Sequence, residues 1–237
     1  MKTILITGAN IGLGLEFVKQ LSEQNTQVIA TCRNPMAAEE LQLLARSRKN
    51  ILCFQLDVTN DQEILELVKK LGNQSIDWLI NNAGISGTQG VTIGNIHRDN
   101  FLNVLNVNCL SVLKISEILL PMLRKSQDKL IICISSSMGS ISDNETGRSY
   151  AYRTSKAALN CAMRSFAIDT MQDGIKVMLL HPGWVKTRMG GPNGNIDTST
   201  SIANMLKVIE KYKLNSHAEQ IRSVPSAGLC DTSLALD

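Results

Sequence analysis

The chain has 237 residues, of which 43% are hydrophobic and 19% are charged, and its formal net charge at pH 7 is +3. This composition excludes a wholly disordered protein, because it provides enough apolar surface for a large core. The balanced charge, with lysine and arginine scattered along the chain, argues against nucleic-acid binding, which requires clustered cations that face phosphates.

Short β-branched runs alternate with longer stretches of helical period along the whole chain. In chain order, the predicted strands are Lys2–Thr7, Gln27–Thr31, Ile51–Leu56, Ile76–Ile80, Lys129–Ile134 and Lys176–Leu180. The predicted helices are Gly12–Gln24, Pro35–Ala45, a helix capped by Thr59 or Asn60 and ending at Leu71, Asp99–Leu123, Tyr152–Met171 and Ser201–Tyr212.

This alternation predicts right-handed crossovers and a parallel sheet that is covered by helices on both faces. We therefore expect a single doubly wound (Rossmann-like) α/β domain over residues 1–237, with six or seven strands. Ligands of such sheets bind outside the carboxyl ends of the strands, so functional residues are expected directly after the strands.

Two segments after the sixth predicted strand are unusual. Residues 188–200 are rich in glycine and lack periodicity, which predicts a mobile lid over the substrate. Trp184 and Met189, close to this lid, either line an apolar pocket or pack locally. Residues 222–237 have poor strand character, so either the sheet stops at six strands or this tail is disordered.

The six cysteines include no CxxC pair and only three histidines accompany them, so neither a metal site nor a disulfide framework is predicted. The N-terminal sequence MKTILITGAN reaches glycine too soon for a signal peptide, and we expect no later apolar run of membrane-spanning length. These features predict a cytoplasmic protein with no membrane or nucleic-acid partner.

The first predicted strand runs into the glycine-rich segment TGANIGLG, residues 7–14. Glycine permits a tight turn and the close approach of a pyrophosphate, and the N-terminus of the following helix supplies unpaired N–H groups. An ordinary glycine-rich turn is the alternative. The position directly after the first strand and before a helix favours nucleotide binding.

The spacing of these glycines resembles the TGxxxGxG motif of the short-chain dehydrogenase/reductase family. Asn81-Asn82-Ala83-Gly84 is similar to the NNAG segment of that family, Tyr152 to Lys156 match its YxxxK motif, and Pro182-Gly183 matches its PG turn. The segments TCRNP, YAYRTSKAALN and HPGWVKT resemble most closely the carbonyl-reductase-like branch that includes the sniffer and C-factor proteins.

The end of the second strand indicates which nicotinamide cofactor is bound. An NAD enzyme usually has Asp or Glu there for the ribose 2′-hydroxyl, whereas this chain has Cys32 followed by Arg33. A guanidinium can bind a 2′-phosphate, so we expect NADP (NADPH), although Arg33 could also be a solvated strand end.

The family resemblance implies the remaining cofactor contacts, with Asp57 and Val58 near adenine and Asn81, Ala83 and Gly84 near the adenosine ribose. The cofactor-binding residues expected in this way are Gly8, Asn10, Ile11, Gly12, Gly14, Arg33, Asp57, Val58, Asn82, Ala83, Gly84, Tyr152, Lys156, Pro182, Gly183, Val185 and Thr187.

Tyr152 and Lys156 are four residues apart in a predicted helix and therefore project from one face. An adjacent ammonium favours the phenolate, so we expect it to lower the pKa of the phenol and let Tyr152 exchange a proton with a substrate oxygen. A surface Tyr–Lys pair is the alternative.

The resemblance implies two further catalytic residues. Ser136, with Ser137 as the second choice, would hold the substrate oxygen. Asn108, with Asn106 as its nearest competitor, would support a water-linked proton path to the lysine, although a satisfied buried amide is the alternative for Asn108.

The implied activity is an NADPH-dependent reduction of a ketone, aldehyde or quinone, with Tyr152 as the proton donor. The alternative is an NADP(H)-binding signalling or regulatory protein with little turnover, which only the atypical tail favours. The small-molecule substrate would be a carbonyl compound or an alcohol, and the resemblance implies a homodimer through the helices near residues 100–120 and 152–171.

Overall fold

The computed structural model of the protein describes residues 1–214 and 221–224. Its strands are β1 Lys2–Thr7, β2 Thr26–Cys32, β3 Ile51–Gln55, β4 Trp78–Asn81, β5 Leu130–Ile134, β6 Lys176–Leu180 and β7 Ile221–Val224. All pair in parallel, in the order β3-β2-β1-β4-β5-β6-β7. The predicted parallel sheet is therefore confirmed.

Seven α-helices connect these strands in the described part of the chain, namely α1 Gly12–Leu21, α2 Glu39–Ser47, α3 Asp61–Leu71, α4 Arg98–Leu105, α5 Ser111–Arg124, α6 Tyr150–Asp169 and α7 Thr198–Leu214. Side chains alternate along each strand, so Ile4 and Ile6 face one core and Leu5 faces the other. The first core includes side chains of α1, α2 and α7, and the second includes those of α3, α5 and α6. The doubly wound architecture is thus confirmed.

The strand order reverses beside β1, which lies between β2 and β4. Because Ile6 pairs with Ile80, the chain leaves β1 and β4 at nearly the same level of the sheet edge. The crevice formed at such a reversal is where ligands of open α/β sheets bind.

The predicted helix Asp99–Leu123 differs from the observed one, because a π-helical turn at Asn106–Leu110 separates α4 from α5. The predicted helix Pro35–Ala45 is likewise a 3-10 turn at Pro35–Ala37 followed by α2. The apolar period continues through both irregularities, so periodicity alone could not reveal them.

The alternative of a six-stranded sheet is wrong, because β7 adds a seventh strand whose Val224 pairs with Leu180 of β6. The pairing also shows that residues 222–224 of the predicted atypical tail belong to the sheet. Residues 225–237 of that segment lie outside the described residues.

The helical stretch Arg98–Arg124 corrects the expectation that no apolar run reaches membrane-spanning length. Its 27 residues include a window of mean hydropathy 1.4, which by length and composition alone could cross a membrane. Within the domain, 39% of that window is buried, and Val112, Ile115 and Leu119 pack in the second core. This packing is typical of the core helix of an α/β domain, which passes the same length test.

Candidate active site

The turn after β1 brings the backbone of α1 against the backbone of β1. Gly8 and Gly12 adopt φ values of +63° and +55°, which favour glycine. A Cβ atom on Gly14 would lie 2.1 Å from the carbonyl oxygen of Gly8, so no larger residue fits there without a shift of the backbone. The close approach creates a shallow backbone cradle at the start of α1.

The N-terminus of α1 carries no side-chain cap. Ile11 occupies the cap position in an extended conformation, makes no side-chain hydrogen bond, and no acidic residue follows in the first turn. The first N–H groups of a helix lack intrahelical partners and attract anions. The turn can therefore accept a phosphate, as the sequence predicts.

The end of β4 is tied to this glycine turn by four hydrogen bonds. The hydroxyl oxygen of Thr7 accepts bonds from the N–H groups of Asn82 and Ala83, each at 3.0 Å. The amide nitrogen of Asn82 donates to the carbonyl oxygens of Thr7 and Gly8, at 2.9 and 3.1 Å. Asn82 thus fixes the shape of the cradle. Thr7 was not predicted, and its position directly before the glycine turn was the available signal.

Asn81 does not line the cleft, which corrects its expected place near the adenosine ribose. Its side chain is only 2% exposed and donates a hydrogen bond to the hydroxyl of Ser116, at 3.2 Å. Successive side chains of a strand point to opposite faces, so Asn81 points into the core while Asn82 points to the cleft.

The predicted adenosine end of the cleft combines Arg33 with Asp57. Burial acts to raise the pKa of Asp57, but hydrogen bonds from Thr59 and the charge of Arg33 outweigh it, and the net pKa is lowered. The carboxylate accepts bonds from the N–H and the hydroxyl of Thr59, at 2.9 and 2.7 Å. Asp57 is therefore an ionised acceptor, and Arg33 is an exposed cation beside it.

Tyr152 and Lys156 of α6 lie together at the carboxyl edge of β5. The ammonium nitrogen of Lys156 donates to the carbonyl oxygen of Ile134, at 2.7 Å, and lies 5.7 Å from the centre of the Tyr152 ring. Lys156 is only 5% exposed. A surface pair is thereby excluded, because both side chains face the cleft and the lysine is buried.

The pKa of Tyr152 is raised, so the expectation that it is lowered is wrong for this structure. Burial disfavours the phenolate and outweighs the hydrogen bond with Ser136, which acts in the opposite direction. Burial also lowers the pKa of Lys156 to about 8, despite the opposing effect of Cys133 and Cys109. The ammonium is therefore a weaker influence on the phenol than the sequence suggested.

Of the three serines after β5, Ser136 is best placed to hold the substrate oxygen, which is the role that the sequence predicts for it. It begins a 3-10 turn, its hydroxyl accepts a bond from the N–H of Met138 at 3.2 Å, and it contacts the phenol of Tyr152. Ser135 instead donates to Asn160, at 2.7 Å. Gly139 lets the turn pack against the backbone of α6, since a Cβ there would lie 2.9 Å from the carbonyl carbon of Lys156.

Asn108 is fully buried in the π-helical turn and bridges two elements of the site. Its oxygen accepts a bond from the N–H of Ile85 and its nitrogen donates to the carbonyl of Ile85, both at 2.8 Å. The nitrogen also donates to the hydroxyl of Ser155, at 3.0 Å, which in turn donates to the carbonyl of Tyr152. The side chain is a satisfied buried amide, and the proton path through this residue stays a prediction. Ser155 was missed by the sequence analysis.

The segment after β6 folds over the glycine turn. The methyl group of Thr187 lies 3.7 Å from the position of a Cβ on Gly12, and Gly183 has a φ of +85°. Val185 is 4% exposed, so its side chain packs inward. The carbonyl of Pro182 accepts a bond from Ser201, at 2.7 Å, which attaches the segment to α7.

The predicted lid at residues 188–200 is cross-linked to the segment before it. The N–H of Gly191 donates to the carbonyl of Thr187 at 2.8 Å, the N–H of Lys186 donates to Ile196 at 2.9 Å, and residues 198–200 are helical. Trp184 lines the cleft and also donates to the carbonyl of Gly190, at 2.7 Å, so it combines both alternatives. Movement of the lid stays a prediction.

These elements enclose one cleft of about 1530 Å³. Apart from Gly14 and Asn108, which act from beneath it, every residue of the predicted catalytic and cofactor sets lines this cleft. His181 also lines it, and burial lowers the pKa of its imidazole. The cleft combines an anion cradle with a buried phenol and ammonium, which is an arrangement suited to a dinucleotide and to proton transfer.

Comparison with known proteins agrees with this geometry. The model of the short chain dehydrogenase family matches residues 2–195. The chain therefore belongs to the short-chain dehydrogenase family, and the predicted class of enzyme, an oxidoreductase of this family, is confirmed.

The individual relatives lie in the predicted branch of the family. The chain is 41% identical to C-signal of Myxococcus xanthus over 135 residues, which are 57% of this chain and 81% of the relative. The carbonyl reductase Sniffer of D. melanogaster superimposes with a TM-score of 0.84 and 34% identity, covering 94% of this chain and 96% of that one. An NADPH-bound carbonyl reductase from chicken fatty liver also gives a TM-score of 0.84, with 35% identity, covering 94% and 91%.

Proposed function

We propose that the protein is an NADPH-dependent oxidoreductase that reduces a ketone, an aldehyde or a quinone, with Tyr152 as the proton donor. The observation that carries the proposal is the position of Tyr152 and Lys156 in the same cleft as the glycine turn. The relatives named above as carbonyl reductases, one of them bound to NADPH, support this substrate class and cofactor.

The residues of the cleft fit a phosphorylated dinucleotide. The cradle between Gly8 and Gly14 would hold the pyrophosphate at the uncapped N-terminus of α1, and a side chain at either glycine would clash with the backbone that shapes the cradle. Arg33 would bind the 2′-phosphate, and the ionised carboxylate of Asp57 would accept the adenine amino group. Lys156 would hold the nicotinamide ribose. When bound, NADPH supplies the hydride.

The chain itself supplies the proton and the environment for the developing charge. A raised pKa keeps the phenol of Tyr152 protonated at neutral pH, so it can donate to the carbonyl oxygen of the substrate. Ser136, which contacts the phenol, would hydrogen-bond the same oxygen. Lys156 stabilises the phenolate that remains, and Asn108 fixes the loop after β4 to α6.

The catalytic assignment is tested with purified protein, NADPH and a panel of ketones, aldehydes and quinones. Tyr152→Phe removes only the proton donor, so we expect kcat to fall by about a hundredfold or more. Tyr212→Phe is the matched control, because Tyr212 lies in α7 outside the cleft. Unchanged turnover in Tyr152→Phe would contradict the assignment.

Cofactor choice is tested by titrating NADPH and NADH while nucleotide fluorescence is followed. We expect tighter binding of NADPH, and loss of that preference in Arg33→Ala. Arg164→Ala, which removes an exposed arginine of α6 outside the cleft, is the control. Equal affinity of the parent protein for the two nucleotides refutes the role of Arg33.

We further propose a cytoplasmic homodimer that forms through α4, α5 and α6. Leu102 of α4, Leu110 of the π-helical turn between α4 and α5, and Ile168 of α6 are 55%, 52% and 51% exposed, which leaves apolar surface for a second copy. Light scattering tests the proposed dimer, and a monomeric mass at micromolar concentration overturns it.

The alternative of a regulatory protein with little turnover depends on the atypical tail, most of which lies outside the described residues. No described residue favours this alternative.

A further inference from the structure

At the predicted substrate end of the cleft, the described lining residues carry positive charge and no negative charge. Among the described residues that line the cleft, Asp57 is the single carboxylate, and it lies beside Arg33 at the adenosine end. Arg148, four residues before Tyr152, lines the cleft where the chain enters α6. The cleft is also lined by a second arginine, Arg188, by polar side chains such as Asn100 and Asn103, and by apolar ones, among them Val91, Phe101, Met138 and Met189. Arginines beside apolar side chains, in a lining whose single described carboxylate is at the other end, favour an amphiphilic anion.

The backbone at Arg148 holds this cation in an unusual conformation. Gly147, Arg148 and Ser149 have consecutive φ values of +62°, +57° and +47°. Glycine would adopt such a value without strain, whereas arginine does so at a cost in free energy. Strained residues of this kind occur preferentially at active sites and ligand clamps, where the surrounding structure maintains them.

The strained turn is fixed by its neighbours and not by Arg148 itself. Arg153 donates to the hydroxyl of Thr146 at 2.8 Å and to the carbonyl of Gly147 at 3.2 Å. By contrast, the guanidinium of Arg148 makes no hydrogen bond and no ion pair with any residue that the structure describes. Its five donors are therefore available to a ligand.

We propose that Arg148 binds an anionic group of the substrate, which is then a carbonyl compound with an apolar body and a carboxylate or a phosphate. The inference rests on the proposed carbonyl reduction at Tyr152. A guanidinium pairs with either anion through two parallel hydrogen bonds, which would hold the far end of the substrate while its carbonyl lies at Tyr152 and Ser136.

Matched aldehydes separate this inference from the proposed function. Para-carboxybenzaldehyde and its methyl ester differ at the far end by one negative charge and one methyl group, and para-formylphenyl phosphate provides the second anion. The measured quantity is kcat/KM for each anion divided by kcat/KM for the ester, with NADPH saturating. In the parent protein, we expect at least one of these two ratios, that for the carboxylate or that for the phosphate, to exceed one.

Arg148→Gly removes the guanidinium and relaxes the backbone, so a loss of anion preference cannot result from unfolding. Because Arg148 is exposed, we expect the ratio to fall by about three- to tenfold. Arg148→Lys should retain most of it. Arg98→Gln removes an exposed arginine that does not line the cleft and should leave the ratio unchanged.

Equal reduction of the ester and both anions, or an unchanged ratio in Arg148→Gly, overturns the inference while carbonyl reduction stands. If none of these aldehydes is reduced but other members of the carbonyl panel are, the inference fails alone. If protein that binds NADPH reduces nothing in the panel, the proposed function fails and the inference fails with it.

Discussion

Substitution of Gly14 by alanine tests the close approach on which the nucleotide cradle depends. A Cβ at this position would lie 2.1 Å from the carbonyl oxygen of Gly8 and 2.5 Å from the amide nitrogen of Asn82. The nearer atom belongs to the backbone of the turn, so it cannot rotate away as a flexible side chain would. The whole turn must move, which would displace the groups that are expected to bind the pyrophosphate.

Three contributions determine how Gly14→Ala changes the free energy of unfolding. Overpacking against backbone costs about 3 kcal/mol. Movement of the Gly8 carbonyl also weakens its hydrogen bond from Asn82, which is 3.1 Å long and contributes about 1 kcal/mol. Alanine in place of glycine inside a helix stabilises the folded protein by about 1 kcal/mol. The net loss of about 3 kcal/mol lowers Tm by roughly 6–12 °C in a chain of this size.

The assay is thermal unfolding followed by circular dichroism, together with titration of NADPH. Gly174→Ala is the matched control, because Gly174 is in the left-handed αL conformation with φ +72° and ψ +18°, and the nearest atom to its Cβ position, in the Lys129 side chain, is 3.8 Å away. We expect Gly174→Ala to cost about 1 kcal/mol and to leave the Kd for NADPH unchanged. If Gly14→Ala melts no lower than Gly174→Ala and binds NADPH as tightly as the parent, the reasoning is refuted.

Three further substitutions test the burial of polar groups. Burial lowers the pKa of Lys156 from 10.5 to about 8, so at this site the unfolded chain binds more protons than the folded protein between these pH values. The contribution of Lys156 to stability should therefore rise across that window by up to about 3 kcal/mol, while the raised pKa of Cys133 acts in the opposite direction in parent and variant alike. In urea unfolding measured from about pH 7 to 10.5, the stability of the parent minus that of Lys156→Met should show this rise, and a constant difference would contradict the assigned burial. Trp78→Phe removes a 2.8 Å hydrogen bond to Asp128 and leaves a void in the first core, so the free energy of unfolding should fall by about 2–3 kcal/mol. An unchanged urea midpoint would argue against both the bond and the burial. Asn108→Ala leaves the N–H and the carbonyl of Ile85 without their partner, so we expect a loss of about 2–4 kcal/mol in the same assay and a lower kcat, and wild-type values for both would disprove the bridging role.

Much of the site was predictable because parallel strands bring their carboxyl ends to one edge. The glycine turn after β1, the Asn82 segment after β4 and the Tyr152 helix after β5 are distant in sequence, and the strand order makes them neighbours. Spacing within each motif then fixed the face on which Tyr152 and Lys156 project. These features depend on local pattern and general topology, both of which a sequence contains.

Other features depend on contacts that local pattern does not encode. The π-helical turn around Asn108 interrupts no apolar period, so the sequence pattern predicts a continuous helix there. The direction of the pKa change at Tyr152 depends on how deeply the phenol is buried, which spacing along a helix cannot give. β7 forms through backbone pairing with β6 at the edge of the sheet, where tertiary context outweighs weak strand propensity.

The burial of Tyr152 bears on the direction of the proposed reaction. A proton donor for carbonyl reduction must begin as the phenol, whereas alcohol oxidation must begin from the phenolate. Burial stabilises the phenol, and the nearby Lys156, whose pKa of about 8 keeps it mostly protonated at pH 7, stabilises the phenolate only after the proton has left. The ammonium is anchored by the carbonyl of Ile134 and so remains in place for that moment. At neutral pH this arrangement therefore suits reduction of the carbonyl better than oxidation of the alcohol.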